Sequence, residues 1–368
     1  MTLRLANLAG DGIGPEVVEQ AFAVLNAVAP AVDLDVARTD FPFSAAHFLE
    51  TGHVLSDEDI DTLRGFDAIM LGAVGGQPND PRLAGGVIEK GILLKLRFDL
   101  DQYINLRPVK LYPGIDTPLK NKTADDIDFV CVRENTEDLY CGLGGIMRKG
   151  TPQEVANQTM VATRHGVERC VRYAFETAKN RKNQGYAGHL TLVHKTNVLN
   201  FAGETWLRTF HEVAEQFPDI ETHYHHVDAC CMYMVASPEV YDVIVVPNMF
   251  GDIITDLGAA IAGGMGIASS GNLDPSGKSP SMFEPVHGSA PDIAGQDKAN
   301  PIAAIDSMGL LLREVGRIKG HAAAVQAGQK IGAAVQAVTP KFAGKSLDRS
   351  GYSTTEIGKM VVDALAGV

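Results

Sequence analysis

The chain has 368 residues, 45% of them hydrophobic, enough to bury a large core and to divide into two domains around a cleft. Its formal net charge of −13 argues against a nucleic-acid partner, because a surface that tracks phosphates needs clustered Lys and Arg. The five cysteines, Cys131, Cys141, Cys170, Cys230 and Cys231, form no C-x-x-C pair and predict reduced thiols in a cytoplasmic setting, which fits an N-terminus without a signal-peptide pattern. In chain order, the apolar run Leu3 to Leu8 predicts a strand. Gly10-Asp-Gly-Ile-Gly-Pro-Glu16 then turns into a helix, with Pro15 in the first turn. The glycines are spaced G-x-G-x-G, so the loop fits the dinucleotide fingerprint poorly and reads equally well as a plain tight turn. Further strands are predicted over Ala68 to Leu71, Phe129 to Val132, Leu190 to Val193 and Val243 to Val246, with amphipathic helices over 164–182 and 203–217. The densest basic run, Lys179 to Lys182, closes the first of these helices, where positive charge suits the dipole. Leu257 to Leu273 carries no charge but is too rich in Gly and Ser for a membrane span. The alternation predicts an α/β fold with buried, largely parallel strands.

Polar residues gather just beyond the strand ends: Gly72-Ala-Val-Gly-Gly76, Arg133-Glu-Asn135, His194-Lys-Thr-Asn197 and Pro247-Asn248. Open α/β sheets bind ligands at such ends. Arg97, Arg107 and Arg133 lie in or beside apolar segments, where a cation needs an anion; a ligand with two carboxylates would supply it, as would ordinary ion pairs. Asp252 and Asp256 fall at i, i+4, which suits either a hard cation such as Mg²⁺ or Mn²⁺, or a helix cap with a solvated neighbour. Taken alone, the spacing favours the cap. Lys195 and Tyr140 are equally ambiguous in isolation.

Six ordered motifs change that balance: Gly10 to Glu16, Asn105-Leu-Arg-Pro108, Val132-Arg-Glu-Asn-Thr-Glu137, His194-Lys-Thr-Asn197, Asn248-Met-Phe-Gly-Asp-Ile-Ile-Thr-Asp256 and Glu284-Pro-Val-His-Gly-Ser-Ala-Pro-Asp-Ile-Ala-Gly295. Through most of its length the chain resembles the β-decarboxylating dehydrogenases, which act on isopropylmalate, isocitrate, homoisocitrate, tartrate or D-malate. The resemblance implies an isopropylmalate dehydrogenase-like fold of two α/β domains. The first is discontinuous (1–103 with 264–368); the second (104–263) carries dimer contacts and an arm near Gly145 to Val161.

By the same resemblance Arg97, Arg107 and Arg133 hold substrate carboxylates, with Glu89, Leu93 and Leu94 beside them. Asp252 and Asp256 bind Mg²⁺ or Mn²⁺ together with Asp228 of a second subunit. Tyr140 and Lys195 form the acid–base pair, Lys195 also reaching across the dimer with Asp228. NAD is implied at His287, Gly288, Ser289, Ala290, Asp292 and Asn300, with Asn197 and Glu284 nearby. Asp292 suits ribose hydroxyls and repels a 2′-phosphate. Gly91 and Leu93 stand where isocitrate enzymes place Ser and Asn, so the segment 89–97 predicts an apolar wall for an isopropyl group. That segment is one residue longer than in some relatives, leaving open which leucine faces the pocket. Arg133 to Tyr140 is closer to the tartrate and isocitrate branches, which keeps a tartrate-, malate- or isocitrate-type substrate as the alternative. A non-catalytic regulatory subunit would have lost metal or acid–base residues, and none is lost.

Overall fold

The computed structural model describes residues 2–344 and 351–368. The chain opens with β1 (Leu3–Gly10), α1 (Gly14–Val28), β2 (Val36–Asp40), α2 (Ala45–Thr51), α3 (Asp57–Leu63) and β3 (Ala68–Ala73). A π-helical turn, Glu89–Leu94, leads into α4 (Lys95–Asp99), β4 (Ile104–Lys110) and β5 (Asp128–Glu134). The hairpin β6 (Gly144–Met147) and β7 (Val155–Gln158) precedes α5 (Arg164–Asn183), β8 (His189–His194), α6 (Asn200–Ala214), β9 (Glu221–His226), α7 (Val227–Ala236), β10 (Val243–Val246) and α8 (Asn248–Ile261). The chain then returns through β11 (Ser269–Leu273), β12 (Ser281–Pro285), α9 (Ile302–Lys319), α10 (Ala322–Val338) and α11 (Thr354–Ala364).

Ten strands form one sheet in the order β2-β1-β3-β12-β11-β4-β5-β10-β8-β9. Parallel pairing holds at both ends, β2-β1-β3-β12 and β5-β10-β8-β9. The middle is antiparallel: β12 to β11, β11 to β4, and β4 to β5. Side chains of one strand alternate between faces. Accordingly Leu3, Leu5, Ala68 and Met70 enter a core under α1, α9 and α10, while Ala6, Leu8, Ile69 and Leu71 enter a second core with Leu63, Leu96 and Leu100. Burial on both faces is why these strands read as near-continuous apolar runs.

The helix predicted over 164–182 is α5, which ends with Arg181 and Lys182 in its last turn and begins where the Thr163 hydroxyl accepts from Gly166 N–H. The helix predicted over 203–217 runs instead from 200 to 214. Its apolar spacing outlasts it because Phe217, already in the following turn, still stacks on Phe175. Strands β2, β4, β9, β11 and β12 escape the apolar pattern, since sequences such as INLRPVK and ETHYHH carry their polar residues into the sheet. Pro108 is tolerated in β4 because β11 pairs with β4 only at Ile104, Asn105 and Leu106, so no ladder bond is lost beyond them. Among the described residues no helix is long and apolar enough to cross a membrane.

Candidate active site

Three guanidiniums converge at the centre of the sheet. Arg107 on β4 and Arg133 on β5 are buried, as is Arg97 from the last turn of α4. Each has a specific tether. Arg97 Nη2 donates to Glu284 (3.3 Å), Arg107 Nε to Asn105 (2.8 Å), and Arg133 Nε to Asn248 (2.9 Å). Arg133 Nη1 also donates to Asp252 at 2.5 Å. Arg97 Nε and Arg133 Nη2 are buried without any partner among the described residues, so two donors aim into the cluster unmet. An unpaired buried donor costs about 1–3 kcal/mol, which an arriving anion recovers.

The electrostatics agree. Burial, reinforced by Arg133 and Arg97, pulls the Arg107 guanidinium down to about 10, and burial likewise lowers Arg97, with Arg133 adding to the fall. Three cations at close quarters destabilise one another, and a dianion removes that repulsion. Burial pushes the Asp252 carboxyl up, but Arg133, Tyr140 and Arg107 outweigh it and hold the group ionised below the usual carboxylate range. Tyr140, in a short turn after β5, lies with Arg133 5.3 Å from its ring centre. Burial raises its phenol; Arg133 opposes the rise and Asp252 adds to it, so the hydroxyl keeps its proton at neutral pH.

An asparagine lattice supports the cluster. Asn105 donates to Ser270 (3.0 Å) and Asn272 (3.1 Å), Asn135 donates to Asn272 (3.0 Å), and Asn272 donates to Glu284 (2.9 Å). Asn248 and Asn272 are supporting residues that sequence reading assigned no role. A signal did exist for Asn105, two residues before Arg107 on one face of a strand. Gly251 has its own reason: a Cβ there would lie 2.5 Å from the Arg133 Cγ, so the glycine admits the arginine stem beside α8.

Asp252 and Asp256 lie inside α8, which starts at Asn248, so Asp252 is not a helix cap. They share a face one turn apart, Asp252 half-buried and Asp256 exposed. Lys195 and Asp228 pair with each other at 2.7 Å, on an exposed surface at the ends of β8 and β9. Among the described residues of one chain no cluster of three His, Cys, Asp or Glu could hold a metal ion. The donor chemistry of two carboxylates on α8 suits a hard cation with ligands still to be added.

The remaining predicted residues fall around this centre. Glu284, at the end of β12, accepts from Arg97. His287, Gly288, Ser289 and Ala290 form the loop after β12, where Ile13 N–H donates to Ser289 O at 2.8 Å and a Cβ on Gly12 would overlap Ser289 O at 1.9 Å. The first glycine turn thus exists to let two loops touch. His287 Nε2 in that loop, and Asn300 Nδ2 further along the chain, are buried without partners among the described residues, the kind of orphan atoms a nucleotide would satisfy. Asp292 and Asn197 are exposed. Glu89, also exposed, opens the π-helical turn Glu89–Leu94, which absorbs one residue more than an α-turn. Leu93 packs on the second core and lines a cavity of about 710 Å³ with Val74 and Leu83, and Leu94 is half-buried one turn before Arg97.

The model of a family described as isocitrate/isopropylmalate dehydrogenase matches residues 4–361. The chain belongs to that family. The 3-isopropylmalate dehydrogenase of Clavibacter michiganensis subsp. michiganensis is 53% identical over 366 residues, 99% of this chain and 98% of the relative. That of Thermobifida fusca is 50% identical over 365 residues, again 99% and 98%. Among solved structures, the isocitrate dehydrogenase from Methylococcus capsulatus superposes with a TM-score of 0.83 at 31% identity, covering 99% of both chains. As a member of the isocitrate/isopropylmalate dehydrogenase family the chain is an enzyme, a decarboxylating dehydrogenase.

Proposed function

We propose that the substrate is 3-isopropylmalate, oxidised and decarboxylated to 4-methyl-2-oxopentanoate in leucine biosynthesis in the cytoplasm, with NAD⁺ as acceptor and Mg²⁺ or Mn²⁺ on Asp252 and Asp256. The observation that carries this reading is the trio Arg97, Arg107 and Arg133, buried with two donors unmet. It asks for a ligand with more than one carboxylate, and the 48–54% identity to 3-isopropylmalate dehydrogenases selects among such acids. The apolar Leu93 and Leu94 suit the isopropyl branch and offer nothing to a third carboxylate.

The working unit is a dimer of two-lobed chains, 1–103 with 264–368 forming one lobe and 104–263 the other. Phe201 is 93% exposed and Met232 72% on the second lobe, and the hairpin β6–β7 leaves Ile146 and Met147 in solvent. Apolar exposure of this kind on one part of the chain supports an interface there. Lys195 and Asp228 of one chain then complete the site of the other.

In the Michaelis complex the three arginines fix the two carboxylates and so orient the C2 hydrogen. A bound divalent cation would acidify the 2-hydroxyl and stabilise enolate charge, while the nicotinamide would accept the hydride. The hydroxyl proton passes through Lys195, which hands one of its own protons to the Asp228 carboxylate as it takes the new one. Loss of carbon dioxide from the resulting β-keto acid leaves carbanion character at C3, and Tyr140, still protonated, delivers the proton there. Asp292 and the loop from His287 to Ala290, with Asn300, Asn197 and Glu284 nearby, hold the cofactor. Measuring kcat/KM with NAD⁺ and Mg²⁺ for 3-isopropylmalate, isocitrate, D-malate and tartrate tests the assignment. It expects the first to lead by at least tenfold, and a lead by any other acid overturns it.

A further inference from the structure

The face of the sheet opposite Arg107 and Arg133 holds a cavity of about 590 Å³ that plays no part in the chemistry above. Strand alternation puts Pro108 and Val130 on that face, and the cavity begins where β11 leaves β4, beside Ser269. Its other walls are α5, α9 and α10. The size falls within the range of small-molecule sites.

Its charges are unequally matched. Lys110 pairs with Asp128 (3.0 Å), Arg181 with Asp128 (3.2 Å) and with Asp242, and Arg317 with Glu314 (2.8 Å). The one buried acid on the wall, Asp306, accepts from Ser269 at 2.6 Å. Arg313 alone among the basic wall residues has no carboxylate within 4.0 Å among the described residues; its Nη1 donates only to the Gly328 carbonyl at 3.0 Å. Two wall acids also lack a basic partner among the described residues: Glu176 stands on the exposed side of α5, where water screens it, and Asp306 is held by the Ser269 and Tyr112 hydroxyls.

Arg313 is also held in a shaped slot. A Cβ on Gly328 would lie 2.8 Å from the Arg313 Cγ, and one on Gly309 or Gly332 would lie 3.2 or 3.3 Å from Nη1. Three glycines on α9 and α10 therefore leave a channel that the arginine side chain fills. Glycine within a helix costs roughly 0.5–1 kcal/mol relative to alanine, so a fixed guanidinium is being maintained against propensity. With its stem fixed and Nη1 on the Gly328 carbonyl, the guanidinium keeps Nη2 and Nε for a carboxylate, with little entropy left to lose. Around it, Tyr112, Ile267, Leu310 and Val325 give the cavity an apolar and aromatic wall.

We propose that this cavity binds a small organic carboxylate with a compact apolar body, the carboxylate on Arg313 and the body against Tyr112, Ile267 and Leu310. Such a ligand would touch α5, α9 and α10 together, and so bridge the parts of the chain on either side of the β4–β11 seam.

Titration calorimetry of the full-length protein with 3-phenylpropionate as probe tests this, alongside Arg313→Gln and Gln329→Trp. The second variant blocks the cavity from an exposed position of α10 without disturbing Arg313. Expected is one saturable event of millimolar affinity or tighter, weakened at least tenfold in both variants and unchanged when the substrate arginine is removed in Arg107→Met. No binding to the unmodified protein, equal binding in the Gln329→Trp variant, or loss only with Arg107→Met would each overturn the site. Inorganic phosphate binding as tightly as the probe would overturn the role of the apolar body. No substrate turnover enters the measurement, so its failure leaves the proposed activity untouched.

Discussion

Two charged groups in this chain look alike in sequence and differ in structure. The arginine cluster is buried, tethered by asparagines and left with two donors unmet; the Lys195–Asp228 pair is exposed and satisfied by itself at 2.7 Å. Burial makes the first a preorganised anion receptor before any ligand arrives. An exposed ion pair is worth little to the fold that carries it. Its hydrogen bond with Lys195 holds Asp228 below the usual carboxylate range. One region is built within the chain; the other, in the proposed dimer, serves a second copy.

The sharpest way to break this contrast is to remove charge from the buried region. With Arg107→Met, kcat/KM should fall by about 4 kcal/mol, roughly a thousandfold, because a buried carboxylate contact is lost. Folding stability should hold or rise by about 1–2 kcal/mol, since Arg107 is depressed to about 10 by burial and its neighbouring cations and relieves both when it goes. Urea midpoints read beside the kinetics decide it; a stability loss as large as the activity loss would mean the cluster is structural.

Asp252→Asn should cost turnover about a hundredfold, near 3 kcal/mol, and shift the divalent-ion titration to higher concentration. An unchanged metal titration would remove Asp252 from the ligand set. Mixing Lys195→Ala chains with Tyr140→Phe chains sharpens the other side of the comparison: part of the lost activity should return in verified mixed dimers, and none would return if Lys195 serves its own chain.

A smaller effect comes from the residue before Lys195. His194 is buried between Trp206 and Phe250, with neither ring nitrogen partnered among the described residues, and burial lowers it to about 4. A depressed pKa means the neutral ring is the native form. Its stability contribution is present above the unfolded value near 6.5 and is lost as pH falls through 4, amounting to about 3 kcal/mol. His194→Phe should flatten the loss of stability between those pH values by an amount of that order. Parallel pH profiles for the two proteins would show that the ring is not held neutral.

Much of this was legible in the chain itself. The five apolar strands declare themselves because both faces are buried, and the motif residues Arg97, Arg107, Arg133, Tyr140 and Asp252 do come together. The antiparallel centre of the sheet was hidden, because β4 and β11 carry Asn105, Arg107 and Asn272 toward one another, and polar side chains on a strand look like loop until their partners are known. The role of Gly251 was equally hidden, since its neighbour Arg133 lies more than a hundred residues away. The π-helical turn Glu89–Leu94, also invisible in the sequence, leads into the helix that carries Arg97 to its tether on Glu284.

The smallest expected effect concerns cofactor choice. Asp292 lies exposed just beyond the loop whose His287 Nε2 is buried without a partner among the described residues. A carboxylate there can accept hydrogen bonds from both hydroxyls of an adenosine ribose, and it repels a 2′-phosphate. Because Asp292 is in solvent, the repulsion is screened, so the preference for NAD⁺ over NADP⁺ should be about tenfold, or 1.4 kcal/mol, rather than a thousandfold. Replacing Asp292 with Lys and Ile293 with Tyr should shrink or reverse that preference. The arginine cluster lies on other elements, so substrate KM and metal dependence should hold nearly constant. Comparing kcat/KM for the two cofactors in both proteins measures the shift directly; equal use of NADP⁺ by the unmodified enzyme would take the choice away from Asp292.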